Sequence, residues 1–233
     1  VVQRIREAER DIVYNEFIEK EHEIVTGEVA RVSKGLVYVN LGRIEAVMTQ
    51  AEQIPHEAYK AGQKIKVYIL EVKKTNKGPQ IVVSRSHPGL VKRLFEFEVP
   101  EIFEGIVQIK SLAREAGSRT KMAVHSIDEK IDPIGACVGP KGSRVKNIVD
   151  ELIGEKIDII NYSENPAEFI SAALSPSKVV RVDVNEEEKS ALVVVPDYQL
   201  SLAIGKEGQN ARLAAKLTNW KIDIKSESQD NQE

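Results

Sequence analysis

The sequence predicts an α+β chain in which a small barrel of five β-strands precedes two copies of a unit built from helices and strands. Short β-rich runs separated by turn signals fill residues 22–86. The pattern Gly-x-x-Gly then occurs twice, at residues 139–142 and 205–208, so that the leading glycines are 66 residues apart. Each copy follows a helical pattern and precedes another helix and a "KIDI" strand. A pattern that recurs in the same setting indicates an internal duplication.

Composition limits the classes of protein that fit. With 233 residues, 42% of them apolar and 30% charged, the chain is long enough for two or three folded domains. One cysteine and two methionines argue against a disulfide framework and a cysteine-based metal site, and they are typical of a reducing, cytoplasmic setting. No apolar run reaches the length of a bilayer span, and no signal peptide is visible.

The first 86 residues predict a helix and a barrel. Residues 1–21 have apolar side chains at helical spacing, and we expect a helix that leads in from a missing N-terminal domain. Residues 22–86 contain five candidate strands, with the turns "SKG", "GR" and "TNKG" between them. Five short strands in about 65 residues are typical of a closed barrel of the oligonucleotide-binding type.

The barrel sequence is basic, with ten Lys and Arg against six Asp and Glu. Barrels of this type bind single strands through basic grooves and exposed aromatic rings. The alternative is that the tyrosines are packing residues and the cations form a solvated face, and the sequence leaves both interpretations open. The candidate surface residues are Arg31, Lys34, Tyr38, Arg43, Lys66 and Tyr68, with Lys64 and Arg85 beside them.

The duplicated unit occupies residues 87–163 and 164–225, and an acidic tail, residues 226–233, follows it. The predicted order in each copy is a helix, two strands, a helix, the Gly-x-x-Gly loop, a helix and the "KIDI" strand. The lysine of that strand lies 14 residues after the last glycine in the first copy and 13 in the second.

Each loop stands where a helix begins, so its backbone N–H groups lack intrahelical partners and attract an anion. Bare glycines allow a sugar-phosphate backbone to come close, and a lysine adds charge. This is the KH arrangement, which holds about four unpaired nucleotides per domain. The predicted RNA-binding residues are Gly139, Pro140, Lys141, Gly142, Arg144 and Lys146, and Gly205, Lys206, Glu207, Gly208, Gln209, Asn210 and Arg212.

The alternative to a KH loop is a helix–turn–helix linker, in which the glycines only cap a helix and allow a bend. The duplication argues against this alternative. Glu207 repels phosphate where the first loop has Lys141, so we expect the second loop to grip RNA more weakly.

The sequence shows no catalytic constellation. The four histidines (22, 56, 87 and 125) are scattered, and "GPKGSR" lacks the spacing of a phosphate-binding P-loop. The acidic run "NEEEK" fits a solvated hairpin tip. We therefore expect no enzyme activity, no cofactor and no metal.

Longer stretches resemble the NusA family of bacterial transcription elongation factors. The resemblance rests on "SRSHPGLVKRLFEFEVPEIFEG", "SLAREAGSRTKMAV", "DPIGACVGPKGSRV" and "GEKIDII", and it covers essentially the whole chain. It implies an S1 barrel, which is of OB type, followed by two type II KH domains in one RNA-binding body, with residues 139–142 and 205–208 as the KH loops. The barrel departs from strongly RNA-binding S1 domains, because "SKGLVYVNLGRIEAVM" lacks their typical Phe and His.

The resemblance also implies a function. Members bind nascent RNA and modulate pausing, termination and antitermination by RNA polymerase, which they contact mainly through an N-terminal domain, together with other Nus factors. We expect a monomer. The alternative function is an accessory S1/KH portion of an RNA-degrading or ribosome-associated assembly. The duplicated KH unit and the barrel-first order argue against this alternative, because such proteins usually have one KH domain or place it ahead of S1.

Overall fold

The computed structural model describes residues 1–232, which form two compact units. Residues 1–94 and 151–153 make the first unit, and the other described residues make the second. No helix among the described residues is long and apolar enough to cross a membrane.

The first unit is a closed five-stranded barrel with a helix packed on it, as the sequence predicts. The order around the barrel is β1-β2-β3-β5-β4, and all neighbours are antiparallel except β3 and β5, which pair through Val47 and Val82. The elements are α1 (Val2–Ile18), β1 (Ile24–Ser33), β2 (Leu36–Asn40), β3 (Glu45–Met48), β4 (Lys64–Thr75) and β5 (Gly78–Ser84), and α2 (Pro88–Glu98) begins in this unit.

Alternating apolar residues of the strands fill the barrel. Val29, Val39 and Val67 are completely buried in its core. Phe17 of α1 is only 2% exposed and packs against the same core, so this helix belongs to the barrel as well as leading into it. A side chain on Gly27 would place its Cβ 2.4 Å from Val39 Cγ1, and this crowding explains a glycine inside β1.

The second unit contains both copies of the duplicated fold. The first copy has α3 (Pro100–Phe103), β6 (Val107–Glu115), β7 (Arg119–Ser126), α4 (Pro133–Val138), α5 (Ser143–Glu151) and β8 (Lys156–Asn161). The second has α6 (Pro166–Ala173), β9 (Arg181–Asn185), β10 (Ser190–Val195), α7 (Leu200–Ile204), α8 (Gln209–Thr218) and β11 (Lys221–Ser226), followed by α9 (Glu227–Asp230).

The two copies have the same sheet. In each, the first two strands form an antiparallel hairpin and the "KIDI" strand joins the second strand in parallel, which gives the orders β6-β7-β8 and β9-β10-β11. Identical strand order and identical pairing in both copies confirm the predicted α+β fold of a barrel followed by a duplicated unit.

Capping residues and prolines set two of the helix starts. Asp132 Oδ1 accepts a hydrogen bond from Ile134 N at 3.1 Å, and Pro133 occupies the first turn of α4. Asn165 Oδ1 accepts from Ala167 N at 3.0 Å ahead of α6. Proline suits this position because its missing N–H has no intrahelical partner there.

The two copies share one hydrophobic core. Ala113, Ala123 and Ile160 of the first copy pack with Phe169 and Leu174 of the second, and all five are buried. A common core fixes the distance between the two loops, since separating the copies would expose this apolar surface.

Candidate nucleic-acid interface

The two Gly-x-x-Gly loops have the same backbone conformation. The first glycine has φ 76° and ψ 173° in one loop and φ 79° and ψ 169° in the other. The third residue, Lys141 or Glu207, has φ of 53° or 55°, and the last glycine has φ of 74° or 73°. The agreement shows that the loops are equivalent parts of the duplicated unit.

The first position of each loop requires glycine for two reasons: its φ angle is positive, and there is no room for a side chain. A Cβ on Gly139 would lie 2.5 Å from Arg144 Cγ, and a Cβ on Gly205 would lie 2.7 Å from the backbone nitrogen of Asn210. The loop therefore passes directly against the start of the following helix, and this close contact leaves no room for a side chain at the first glycine.

The first loop presents one cation to the solvent. Pro140 and Lys141 at its tip are exposed. Arg144, which we predicted to bind RNA, donates from Nη1 to Ala136 O at 2.7 Å and to Glu101 Oε2 at 2.9 Å, so it holds the end of α4.

Lys146, the other cation that follows the first loop, is 73% exposed and pairs with Asp150 at 2.7 Å. An exposed pair of this kind contributes little to stability and can exchange its partner. Lys146 therefore remains available to a phosphate, whereas Arg144 holds the structure behind the loop.

The second loop is tied to the first copy of the fold. Arg212 donates from Nη1 to Glu207 O at 3.0 Å, and its Nε and Nη2 donate to Glu115 Oε1 at 2.8 and 2.5 Å. Gln209 Nε2 donates to Ser118 Oγ at 2.6 Å, in the turn between β6 and β7. These contacts fix the position of the second loop relative to the first copy.

Asn210 does not fit its predicted role. Its side chain is buried, with 2% of the residue exposed, and Nδ2 donates to Leu174 O at 3.1 Å and to Ala203 O at 3.0 Å. We therefore correct the prediction and assign Asn210 to the support of the loop. It lies five residues after the first glycine, as Arg144 does, and both residues donate to a carbonyl of the helix before the loop.

A strand edge borders each loop, and exposed apolar residues also border the second loop. Helix α4 contacts β8, and α7 contacts β11. Each of these strands forms an edge of its sheet in the described part of the chain. Leu202 and Ile204 of α7 are 44% and 38% exposed, although both are apolar. Unstacked bases can lie against such a surface while the loop holds the phosphates.

Tyr68, one of the candidate surface residues of the barrel, is buried. This residue is 7% exposed and its ring stacks on His87, with centroids 4.7 Å apart and planes at 3°. Burial raises the pKa of Tyr68. A Cβ on Gly89 would lie 2.6 Å from the tyrosine ring, so the start of α2 covers it closely. Of the two interpretations that the sequence left open for Tyr68, the structure supports the packing residue.

Arg85 is likewise not a surface cation. Its side chain is 1% exposed, pairs with Glu57 at 2.8 Å and Glu151 at 3.2 Å, and donates to Lys66 O at 2.7 Å. A buried guanidinium with these partners holds the barrel together and is closed to a ligand. The backbone nitrogen of Lys66 donates to Glu151 Oε1 at 3.2 Å, so this residue borders the same buried cluster.

Tyr38 and the remaining cations lie on the barrel surface. The Arg31 guanidinium covers the Tyr38 ring at 4.0 Å from its centroid and pairs with Glu45 at 2.6 Å. Arg43 pairs with Glu16 at 3.3 Å, and Lys34 is exposed in the turn after β1. The ring is thus partly occupied by a neighbour, which makes it a poorer platform for a base.

Metal ligands and the cysteine are the other features that could carry chemistry. In the part of the chain that the structure describes, no three His, Cys, Asp or Glu side chains form a group that could hold a metal ion. Cys137 is buried, and burial raises the pKa of its thiol to about 12. Such a thiol stays protonated and unreactive at neutral pH.

Comparison with known families gives three consecutive matches. Residues 19–84 match the S1 RNA binding domain, residues 85–162 the NusA-like first KH domain and residues 166–232 the NusA-like second KH domain.

Curated relatives align over nearly the whole chain. The "Transcription termination/antitermination protein NusA" of Halalkalibacterium halodurans is 63% identical over 229 residues, which are 98% of this chain and 60% of the relative. That of Bacillus subtilis is 64% identical over 228 residues, 98% of this chain and 62% of the relative. That of Mycobacterium bovis is 50% identical, and the alignment covers 98% of this chain and 68% of the relative. The chain thus spans about three-fifths of the length of the first two relatives.

Proposed function

The chain belongs to the NusA family, and we propose that it is the part of a transcription termination and antitermination factor that holds single-stranded nascent RNA. The observation that carries this proposal is the pair of Gly-x-x-Gly loops, which have the same conformation and lie in one compact unit with a common core. The resemblance to this family, drawn from the sequence alone, is confirmed by the relatives and by the order of the domains.

Each loop supports RNA in two ways. The turn brings the backbone close to a phosphate at the start of a helix, where the helix dipole favours an anion, and the side chain of Lys141 or Lys206 adds a positive charge there. Bases of the same strand lie along the helix before the loop and the neighbouring strand edge. At about four nucleotides per KH domain, the unit holds about eight unpaired nucleotides.

The role of the whole factor extends this proposal. The factor would modulate pausing, termination and antitermination while its two KH domains hold the RNA. It would contact RNA polymerase mainly through an N-terminal domain, and other Nus factors would be its partners. We propose that the chain acts as a monomer in the cytoplasm and has no enzyme activity of its own. The surface of the barrel, with its covered Tyr38, contributes less to RNA binding than the loops do.

A length series of RNA tests the proposal. We expect an unpaired RNA of about ten nucleotides to bind the 233-residue chain much more tightly than one of about five, because only the longer strand reaches both loops. Fluorescence anisotropy at fixed salt measures both affinities, and a fully paired RNA of the same length is the control. Equal binding of the two single strands would mean that only one KH domain holds RNA, and absence of binding would refute the proposal.

A further inference from the structure

Tyr198 stands on the surface directly ahead of the second loop. It is 76% exposed, in a chain whose aromatic residues make up only 5%. It belongs to a 3₁₀ turn, Asp197–Gln199, that runs into α7, and the loop begins with Gly205 at the other end of that helix. Seven residues at 1.5 Å each place the tyrosine about 10 Å from the loop along the helix axis.

The turn that carries Tyr198 is held on both sides. The Asp197 carboxylate accepts from Ser228 N at 3.0 Å and from the Ser228 hydroxyl. Gln199 Oε1 accepts from Lys178 N at 2.9 Å. Because both neighbours are tied to the protein, the aromatic ring is displayed from a fixed backbone. A rigid aromatic side chain loses little conformational entropy when a flat ligand stacks on it.

Exposed apolar residues lie between this ring and the loop. Leu202 lies four residues after Tyr198 and Ile204 directly precedes the loop, and the two are 44% and 38% exposed. The first copy has no such strip. Its residues at the same distances before the first glycine are Asp132, Ala136 and Val138, and Asp132 there caps α4.

The difference in apolar surface parallels a difference in charge. The tip of the first loop carries Lys141 alone, whereas Lys206 in the second loop is followed by Glu207. The second loop therefore offers a phosphate less electrostatic attraction, and an RNA strand held there depends more on contacts with its bases.

We propose that Tyr198 stacks on an unpaired base of the RNA strand whose phosphates cross the second loop, with Leu202 beside it. The inference deepens the proposed function and rests on it. Every nucleobase has a π-face, so this contact favours single strands over duplexes without requiring one base sequence. The two loops would then bind RNA by different interactions, the first mainly through charge and the second mainly through apolar contact.

Substitution of Tyr198 tests the assignment on the intact chain with a ten-nucleotide single-stranded RNA. We expect Tyr198→Ala to weaken binding between about fivefold and a hundredfold, the range for loss of one stacked base, and Tyr198→Phe to bind like the parent chain. Tyr198→Leu, which keeps apolar bulk without a ring, should bind nearly as weakly as the alanine variant. The slope of affinity against salt should stay unchanged in all three, since no phosphate contact is lost.

An RNA series with a single abasic nucleotide locates the base. At one position, removal of the base should weaken the parent chain and leave Tyr198→Ala unaffected. The assignment is overturned if folded Tyr198→Ala binds normally, if Tyr198→Leu binds like the parent, or if no abasic position shows this coupling. Absence of RNA binding by the parent chain would instead refute the proposed function, so the two failures are distinguishable.

Discussion

Reversing the charge of the first loop should separate RNA binding from folding. The double substitution Pro140→Asp with Lys141→Asp keeps both glycines and therefore the turn. Lys141 has φ 53°, a left-handed conformation that Asp adopts more readily than most residues do. Both side chains are exposed, so the substitution removes no buried contact.

The expected loss follows from the charges. The change at the loop is three units, one from Pro140 and two from Lys141. Coulomb's law gives about 0.7 kcal/mol for two unit charges about 6 Å apart in water, and physiological salt roughly halves this value. Three units therefore cost about 1 kcal/mol. The lost hydrogen bond from Lys141 to a phosphate adds about 0.5 kcal/mol, so that RNA affinity should fall about tenfold.

Two matched variants isolate the electrostatic effect. Pro140→Asn with Lys141→Asn changes the charge by one unit only but also loses the lysine hydrogen bond, so we expect a fall of about fourfold. Lys206→Asp with Glu207→Asp changes the charge of the second loop by two units and loses the lysine hydrogen bond, and we expect a fall of about eightfold.

Anisotropy titrations at several salt concentrations measure these affinities, and thermal unfolding shows whether the fold is kept. The Asp and Asn variants of the first loop share the loss of Pro140, so their melting temperatures should agree with each other. If the Asp variant remains folded and still binds RNA like the parent chain, the first loop is only a bend between helices, and its role in the proposed function is wrong.

Two further predictions concern the second unit. Glu155 is fully buried and accepts from Arg114 Nη2 at 3.0 Å, from Gly117 N at 2.7 Å and from the Thr120 hydroxyl at 2.8 Å. Glu155→Ala should therefore lower the free energy of unfolding by about 3–5 kcal/mol in urea titrations, because the buried Arg114 loses the carboxylate that neutralises its charge, and a loss below 1 kcal/mol would contradict this account. Burial raises the pKa of Cys137 to about 12, so stability should be intact below the pKa of the unfolded thiol, about 8.5, and fall as pH rises beyond it. The parent chain should lose stability relative to Cys137→Ala between about pH 8.5 and 12, and parallel pH profiles would contradict the prediction.

Local sequence patterns predicted most of the fold. Spacing of apolar residues, the prolines at 133 and 166 and the repeated glycines are signals that act over a few residues, and the structure has helices, strands and loops where they indicate them. The left-handed φ angles of the loops follow from the same glycines.

The roles of polar residues near the loops were less predictable. Gln209 and Arg212 find their partners 91 and 97 residues away along the chain, in the first copy of the fold. Asn210 is buried although its neighbours on both sides are not. A polar residue beside a loop can bind a ligand or hold the loop, and only the tertiary contacts decide between these roles.

Tyr68 illustrates the same limit in the barrel. Alternation along β4 places Ile65 and Val67 in the core and leaves Tyr68 on the other face, where an exposed ring is the natural expectation. The start of α2 then covers that face with His87 and Gly89, which come from a later part of the chain. No local signal in β4 indicates this cover.

The second loop is held by side chains of the first copy and also has an exposed apolar surface of its own. Glu115 and Ser118, at the end of β6 and in the turn that follows it, hold Arg212 and Gln209, so the backbone around Glu207 is fixed before RNA arrives. A loop fixed in this way loses less conformational entropy on binding than a mobile one, which offsets part of its weaker charge. The duplication therefore preserved the backbone of the loop, whereas the side chains around it diverged. On the proposed function and the proposed role of Tyr198, the two equivalent loops would hold one RNA strand by different interactions, the first through Lys141 and the second through a fixed backbone and the ring of Tyr198.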